Sequence, residues 1–540
     1  MTATHHALTI DLEEQFQLRT GGRGVPERHW DRFPSRIERN VDVALQVLDR
    51  RGAKATFFAG LWVAERHARA LREIATAGHE IACRIERLPR RGAARSHGCV
   101  SDVSKLISRI EDGSGRVVHG CRVANLDGGV DGLTDDVLPA QVRFVCRPGR
   151  ANVSDAIRPA TAGQVTEITL PSLRVAGATV GLRSGTGLRL MPHPLARHFI
   201  SAWGRRAVPA VFDFKLWELD PDPTELSVFS PLERKLHYRN LSQFEDRLEA
   251  LLGQAQFVAI RDLMGLADEP LNQSAEPSTR SLDARQAATL SGASGTPVSI
   301  VIPCYNEEAG LGYLAKALNG LATGLGRRHE LSFVIVDDGS TDATWAEMNR
   351  LFGADARFRL VRHDRNRGVG AAILTGIDAA PAETIAVIDS DCSYDPARIE
   401  DMLPLLAPDV ALVTASPYHA LGRVEGVPEW RLVLSRSASR LYRMILRNKL
   451  ATYTSCFRVV RKSATKGLVL RHEGFIGVAE MLARLDLGGC KIVEHPAVLE
   501  SRLIGRSKLK VLRVIAGHLQ LLAEISLARI AARRSWRVYW

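Results

Sequence analysis

The chain has 540 residues, 45% hydrophobic and 24% charged, a composition that favours two or more soluble globular domains over one. Its formal charge of +12 points to anionic partners (nucleotide diphosphates, lipid phosphates, anionic membrane or nucleic acid), with a generally basic surface as the plain alternative. The eight cysteines form no Cys-x-x-Cys pair, which removes zinc-ribbon and thioredoxin readings, and no uncharged apolar stretch approaches the roughly 20 residues of a membrane span. No basic region followed by an apolar run opens the chain, so the expected location is cytoplasmic, with room for a peripheral place on the inner face of the cytoplasmic membrane.

In the first half, apolar runs at 7–10 and 55–58 predict buried strands. Residues 39–51 and 63–77 carry apolar side chains three and four apart and predict helices, the second ended by Gly78. From 84 to about 190, Gly and Arg are frequent and the periodicity is poor. Residues 266–296, rich in Ser, Ala, Gly and Pro, predict a flexible tether. Beyond it, strands are predicted at 298–302, 331–336 and 384–388, and helices at 311–321, 343–351 and 371–379. Both halves thus read as α/β, and the second as a doubly wound sheet with its ligand crevice at the carboxyl ends of the strands. The predicted organisation is a domain at 1–265, a linker at 266–296, a second domain at 297–514 and a basic aromatic tail at 515–540.

Each predicted strand of the second half runs into polar residues: Pro303, Tyr305, Asn306 and Glu307 after the first, Asp337 and Asp338 after the second, Asp389, Ser390 and Asp391 after the third. An acid after a strand is as often a helix cap as a ligand. Three such groups in order fit a nucleotide diphosphate, whose departure a divalent cation assists by neutralising developing charge. Hard cations take carboxylate oxygens, and Asp-x-Asp can offer two to one ion. A tyrosine ring can stack on a base. The glycines Gly368 and Gly370 allow close backbone packing near the nucleotide.

The ordered set PxYNEE, VDDGSTD, NRGVGAA and DSDxSYDP resembles family-2 glycosyltransferases of the GT-A fold, over about 297–514. Within that family, VEGVPEWRLVLSRSASRLYR, TSCFRVVRK and GRSKL are most similar to the dolichyl- or polyprenyl-phosphate mannosyltransferases. The resemblance implies an inverting transfer from a nucleotide-sugar donor, a Mg2+ or Mn2+ ion, and a polyprenyl-phosphate or glycan acceptor. It places Pro303, Tyr305, Glu307 and Asp337 or Asp338 at the nucleoside. Asp389 and Asp391 fall at the metal with Ser390 beside them, Arg506 and Lys508 on phosphate, and Arg431 near the acceptor phosphate. One departure stands out: Ala415-Ser416-Pro417-Tyr418 replaces the usual Gly-Ser-Arg-Tyr, so an expected phosphate contact is missing at Pro417. No Gln-x-x-Arg-Trp segment accompanies these motifs, which argues against a processive synthase.

Arg436, Arg440, Arg443 and Arg447 are three and four apart and form one stripe on a helix. The chain ends in basic residues interleaved with Trp536, Tyr539 and Trp540. Both suit contact with an anionic membrane, against the alternative of a solvated basic helix with a frayed end. No recognised nucleic-acid motif is present, and nucleic acid is not expected as a partner.

In the first half, TIDLEEQFQ, KATFF and AGHEIACR resemble polysaccharide deacetylases of the NodB type, and FDFKLWELDP and HYRNL a branch of them found in exopolysaccharide gene clusters. This implies a distorted β/α barrel. Such enzymes hold a divalent metal with an aspartate and two histidines, next to an aspartate base. Asp11 matches the base. Glu14 stands for the metal aspartate, Arg84 and Leu88 for the paired histidines, Lys215 for a late histidine, and Arg122 for an arginine-proline motif without its proline. The expectation is a fold kept, deacetylase activity lost and no metal bound. The alternatives are a bifunctional deacetylase–glycosyltransferase and a scaffold role for the first half.

Overall fold

The computed structural model describes all residues except 1–3, 21–22, 86–96, 124–137, 151–156, 159–164, 176–177, 182–183, 204, 206–207, 272–294, 473, 506–510 and 537–540. The chain forms two compact units. One comprises Met1–Glu27, Ser35–Glu225 and Phe229–Arg280, the other Arg28–Pro34, Leu226–Val228 and Ser281–Trp540.

The first unit is a distorted half-barrel. Its main sheet runs Ala178–Gly181, Thr166–Val175, Phe144–Arg150, Gly120–Val123, Glu80–Ile85, Thr56–Ala59, His5–Leu12, Val211–Lys215. All neighbours along that path are parallel except the outer pair. His5–Leu12 and Thr56–Ala59 are buried almost throughout, as strands covered on both faces must be, which is why they read as unbroken apolar runs. The helix Ile37–Arg50 turns Ile37, Val41, Ala44 and Leu48 inward, near its predicted span.

Two expectations need correction. The helix predicted at 63–77 is two helices, Leu61–Arg66 and Ala68–Thr76. His67 breaks them with φ −127° and ψ 42°, its ring bound to Ser35 Oγ at 3.1 Å and packed on Trp62. Gly78, at φ +79°, does end the second. The poorly periodic region holds a helix, His97–Ser114, and five strands of the sheet, Gly120–Val123, Phe144–Arg150, Ile157–Arg158, Thr166–Val175 and Ala178–Gly181. Buried polar residues such as Arg122, Thr166 and Thr169 interrupt the apolar pattern there.

The second unit is a seven-stranded sheet ordered Phe358–Arg362, His329–Asp337, Thr296–Cys304, Thr384–Val387, Arg458–Arg461, Val410–Ser416, Lys491–Pro496. Only Arg458–Arg461 runs against its neighbours. The predicted strands and helices fall on Thr296–Cys304, His329–Asp337 and Thr384–Val387, and on Leu311–Leu325, Thr344–Phe352 and Val369–Ala379. The last helix lays Ile373 and Ile377 on the sheet, and Gly376 lets it approach: a Cβ there would stand 2.3 Å from Val301. The linker predicted at 266–296 lies mostly outside the described residues. The helix Val511–Trp536 buries Leu521, Leu522 and Ile525 in this unit's core.

Candidate active site of the second unit

The sheet order brings the carboxyl ends of Thr296–Cys304, His329–Asp337 and Thr384–Val387 side by side. The loops that leave them are stitched together. Asn306, at φ +53°, accepts from Thr341 N at 2.7 Å through Oδ1, and its own N–H donates to Ser340 Oγ at 2.8 Å. Glu307 N donates to Thr344 Oγ1 at 2.7 Å. Asp337 is fully buried, accepting from Ser340 N at 3.0 Å and paired with Arg362 at 3.1 Å. Asp338 accepts from His363 Nδ1, Arg367 N and Gly368 N at 2.7–2.9 Å. It therefore fixes the glycine loop in place. Gly339, at φ +69°, packs so close to that loop that a Cβ would lie 2.3 Å from the carbonyl carbon of Arg365.

Asp389 and Asp391 follow the central strand, with Cys392 at φ +50° turning the chain back. Asp391 Oδ1 accepts from Ser393 N at 2.9 Å. Burial and the Asp391 charge push Asp389 up to about 7, although Arg458 and Arg502 pull it the other way. Burial and the neighbouring carboxylate both disfavour negative charge at Asp389, an imbalance that a bound cation would relieve. Arg458 lies behind them, itself buried, donating to Val478 O and Tyr453 O, and lowered to about 10 by burial.

A cavity beside the pair is lined by Glu307, Gly310, Tyr313, Ser390, Asp391, Arg502, Leu503 and Ile504. Arg502, absent from the sequence-derived site, is the cation that reaches in. It pairs with Glu307 and stands 3.8 Å from Asp391 Oδ2. Its place directly ahead of the Gly505 loop is the signal that could have found it. Residues 28–34, counted with the first domain in the sequence, belong to this unit: His29 bonds Glu500 at 2.6 Å and Tyr313 OH at 3.2 Å.

Of the other expected residues, Pro303 is buried at the end of its strand and Tyr305 follows that strand, half-buried. Arg431 is exposed on the helix Glu429–Ile445, its guanidinium over Trp430. Arg506 and Lys508 lie outside the described residues. At the departure noted around Pro417 the structure supplies another cation: Arg436, from the same helix, sits 5.1 Å from the centre of the Tyr418 ring.

In the first unit the residues that the resemblance places around a metal form charge pairs. Arg122 bridges Asp11 at 2.7 Å and Asp213 at 2.5 Å and donates to Thr9 Oγ1. Arg84 and Lys215 hold Glu13 at 2.6 and 2.5 Å, with Arg84 3.7 Å from Asp11. Burial alone would raise Asp11, but Arg122, Arg84 and Lys215 hold its carboxyl below the usual range. Three carboxylates meet three cations, so a dication there would face fixed positive charge; the residues do not fit a metal. Glu14 points elsewhere, accepting from Ser35 Oγ, Arg36 N and Ile37 N to cap a helix. Leu88 lies outside the described residues.

A family model described as "Glycosyl transferase family 2" matches residues 299–469. Models for "Polysaccharide deacetylase" and "Domain of unknown function (DUF3473)" match 29–125 and 137–265. The chain belongs to glycosyltransferase family 2, joined to a polysaccharide deacetylase-like domain. Among its relatives is the dodecaprenyl-phosphate galacturonate synthase of Rhizobium johnstonii, 30% identical over 44% of this chain and 68% of that protein. The dolichol-phosphate mannosyltransferase of Pyrococcus furiosus is 28% identical over 39% of this chain, which spans 59% of that protein's length. The polyprenol monophosphomannose synthase of Mycolicibacterium smegmatis is 28% identical over 39% and 80%. Among solved structures, glucosyl-3-phosphoglycerate synthase from Mycobacterium tuberculosis aligns at 20% identity over 44% of this chain and 80% of that one, with a TM-score of 0.31.

Proposed function

We propose that the second unit is an inverting, metal-dependent transferase that moves a sugar from a nucleotide diphosphate to a polyprenyl phosphate, with an envelope glycan as the alternative acceptor. The crowded Asp389–Asp391 pair carries this reading, because its electrostatics call for a cation at the mouth of the strand ends. Asp389 and Asp391 would hold Mg2+ or Mn2+, which when bound supplies positive charge to the departing diphosphate. Pro303 and Tyr305 shape the nucleoside end of the crevice. Glu307 faces the donor with Arg502, which exchanges its carboxylate partners for donor phosphate. Asp337 and Asp338 set the loops, and Ser390 lines the cavity. Arg506 and Lys508 would supply further positive charge to phosphate.

An acceptor phosphate oxygen attacks the anomeric carbon from the face opposite the leaving group. The new carbon–oxygen bond forms as the bond to the diphosphate breaks, and the nucleoside diphosphate leaves. A phosphate is already anionic at neutral pH and needs no dedicated base. Arg431 and Arg436 supply cations for it, and Arg436 beside Tyr418 compensates for the arginine missing at Pro417. Three relatives whose names specify a polyprenyl or dolichyl phosphate support that acceptor. The protein would act at the inner face of the cytoplasmic membrane without spanning it; among the described residues no helix is long and apolar enough to cross. The first unit would serve as a scaffold without deacetylase activity.

The test is a panel of nucleotide sugars with Mn2+, reading nucleoside diphosphate release with and without polyprenyl phosphate. Asp391→Asn is expected to lower turnover by about a hundredfold or more, because a carboxylate that stabilises transition-state charge is lost. Unchanged turnover at saturating metal refutes the assignment.

A further inference from the structure

The helix Glu429–Ile445 has an outward face that a water-exposed helix does not ordinarily carry. Ser439 and Tyr442 turn inward, and Tyr442 OH bonds His518 Nδ1 at 2.9 Å. At roughly 100° per residue, Trp430, Val433, Leu441 and Met444 fall within an arc of about 80° on the opposite side. They are 50%, 59%, 41% and 78% exposed, so the arc is open to solvent along the whole helix. Arg436, Arg440 and Arg443 run beside it on one flank and are also exposed. Among the described residues these three arginines pair with no carboxylate, while exposed pairs such as Arg328–Glu400, Arg398–Asp401 and Lys491–Asp409 lie elsewhere in this unit. Arg436 also lies against the Tyr418 ring, but among the described residues no carboxylate neutralises the stripe.

We propose that this helix is a docking surface for an anionic lipid bilayer. Its apolar arc enters the boundary between headgroups and acyl chains, and its arginine flank meets lipid phosphates. Charge complementarity selects this occupant. A protein partner would need to cover both a large apolar strip and an adjoining run of unpaired cations. A bilayer of anionic lipid offers those two environments at the depths such a helix spans. Tryptophan at one end suits the headgroup level. The proposal deepens the lipid-phosphate reading above, since it would present the transferase to an acceptor held in the membrane, but it stands on the helix alone.

The experiment floats the full chain with phosphatidylcholine vesicles, with and without phosphatidylglycerol, at low and high salt. Binding is expected only with phosphatidylglycerol and is expected to weaken as salt rises. The triple variant Arg436→Gln/Arg440→Gln/Arg443→Gln should bind about 100-fold more weakly, at roughly fivefold per arginine. Val433→Asp/Met444→Asp should lose about tenfold or more, while transferring sugar to a water-soluble acceptor, with release of nucleoside diphosphate, as the wild type does. Acyl chains brominated near the glycerol should quench wild-type fluorescence more than that of Trp430→Phe. The proposal is overturned if the full chain ignores phosphatidylglycerol at low salt. It is equally overturned if binding survives the Val433→Asp/Met444→Asp change with no quenching at Trp430, or if this face instead mediates self-association. Absence of diphosphate release from the wild type would sink the transferase reading and leave vesicle binding to be judged by itself.

Discussion

Protons and divalent cations should compete for the Asp389–Asp391 pair, and the structure sets where. Burial and the neighbouring charge place the Asp389 carboxyl at about 7 instead of the ordinary 3.8. A cation bound there must displace that proton below pH 7. Apparent Mn2+ affinity is then expected to fall about tenfold per pH unit, or roughly 30-fold between pH 8 and pH 5.5, and to level off above 7. An ordinary carboxylate would give a flat profile over that range. Asp391→Asn removes the charge that helps raise Asp389, so the break should move to lower pH even as affinity drops. Mn2+ binding to the full chain, followed by electron paramagnetic resonance without nucleotide, isolates the protein's own titration. A flat profile from pH 5.5 to 8 would refute the reasoning.

In the first unit, Arg122→Met strands Asp11 and Asp213 and should cost about 3–5 kcal/mol. Adding Asp11→Asn and Asp213→Asn should recover most of that, read by hydrogen exchange in the strand His5–Leu12, whereas zinc should not. Burial pushes Glu80 up to about 7 from 4.5, so the folded unit holds a proton that the unfolded chain has released. Its stabilising effect is full below about pH 4.5 and declines as pH rises to 7. Glu80→Gln should remove that slope from urea-unfolding curves of the full chain. Asp338→Ala frees His363 and two loop N–H groups, costing about 1–3 kcal/mol for each buried group left unpaired. It should raise the donor KM more than it lowers kcat, because the residue acts by holding the glycine loop; an unchanged KM counts against that role.

The second unit's strand ends were legible in the sequence because each motif is local. A short apolar run followed at once by Tyr305–Glu307, Asp337–Asp338 or Asp389–Asp391 encodes both the strand and what stands at its mouth, and the sheet order merely gathers them. The fold of the first unit was legible for the same reason, and the strand-end residues Asp11, Arg84 and Lys215 do come together in one charged cluster. The region from 84 to 190 was not, because its strands carry buried polar groups whose partners are remote. Arg122 reads as a break in an apolar run until Asp11 and Asp213, 111 and 91 residues away, are seen around it. Tertiary structure alone brought Arg502 across 195 residues to Glu307, and Arg436 onto Tyr418 beside the proline that displaced an expected arginine. It also spent Asp338 on a loop and turned Trp430 and Met444 outward. Sequence periodicity fixes which residues share a face of a strand or helix. Which face is covered, and which distant charge balances a buried one, depends on how the elements pack, since burial and Coulomb attraction act through space and not along the chain.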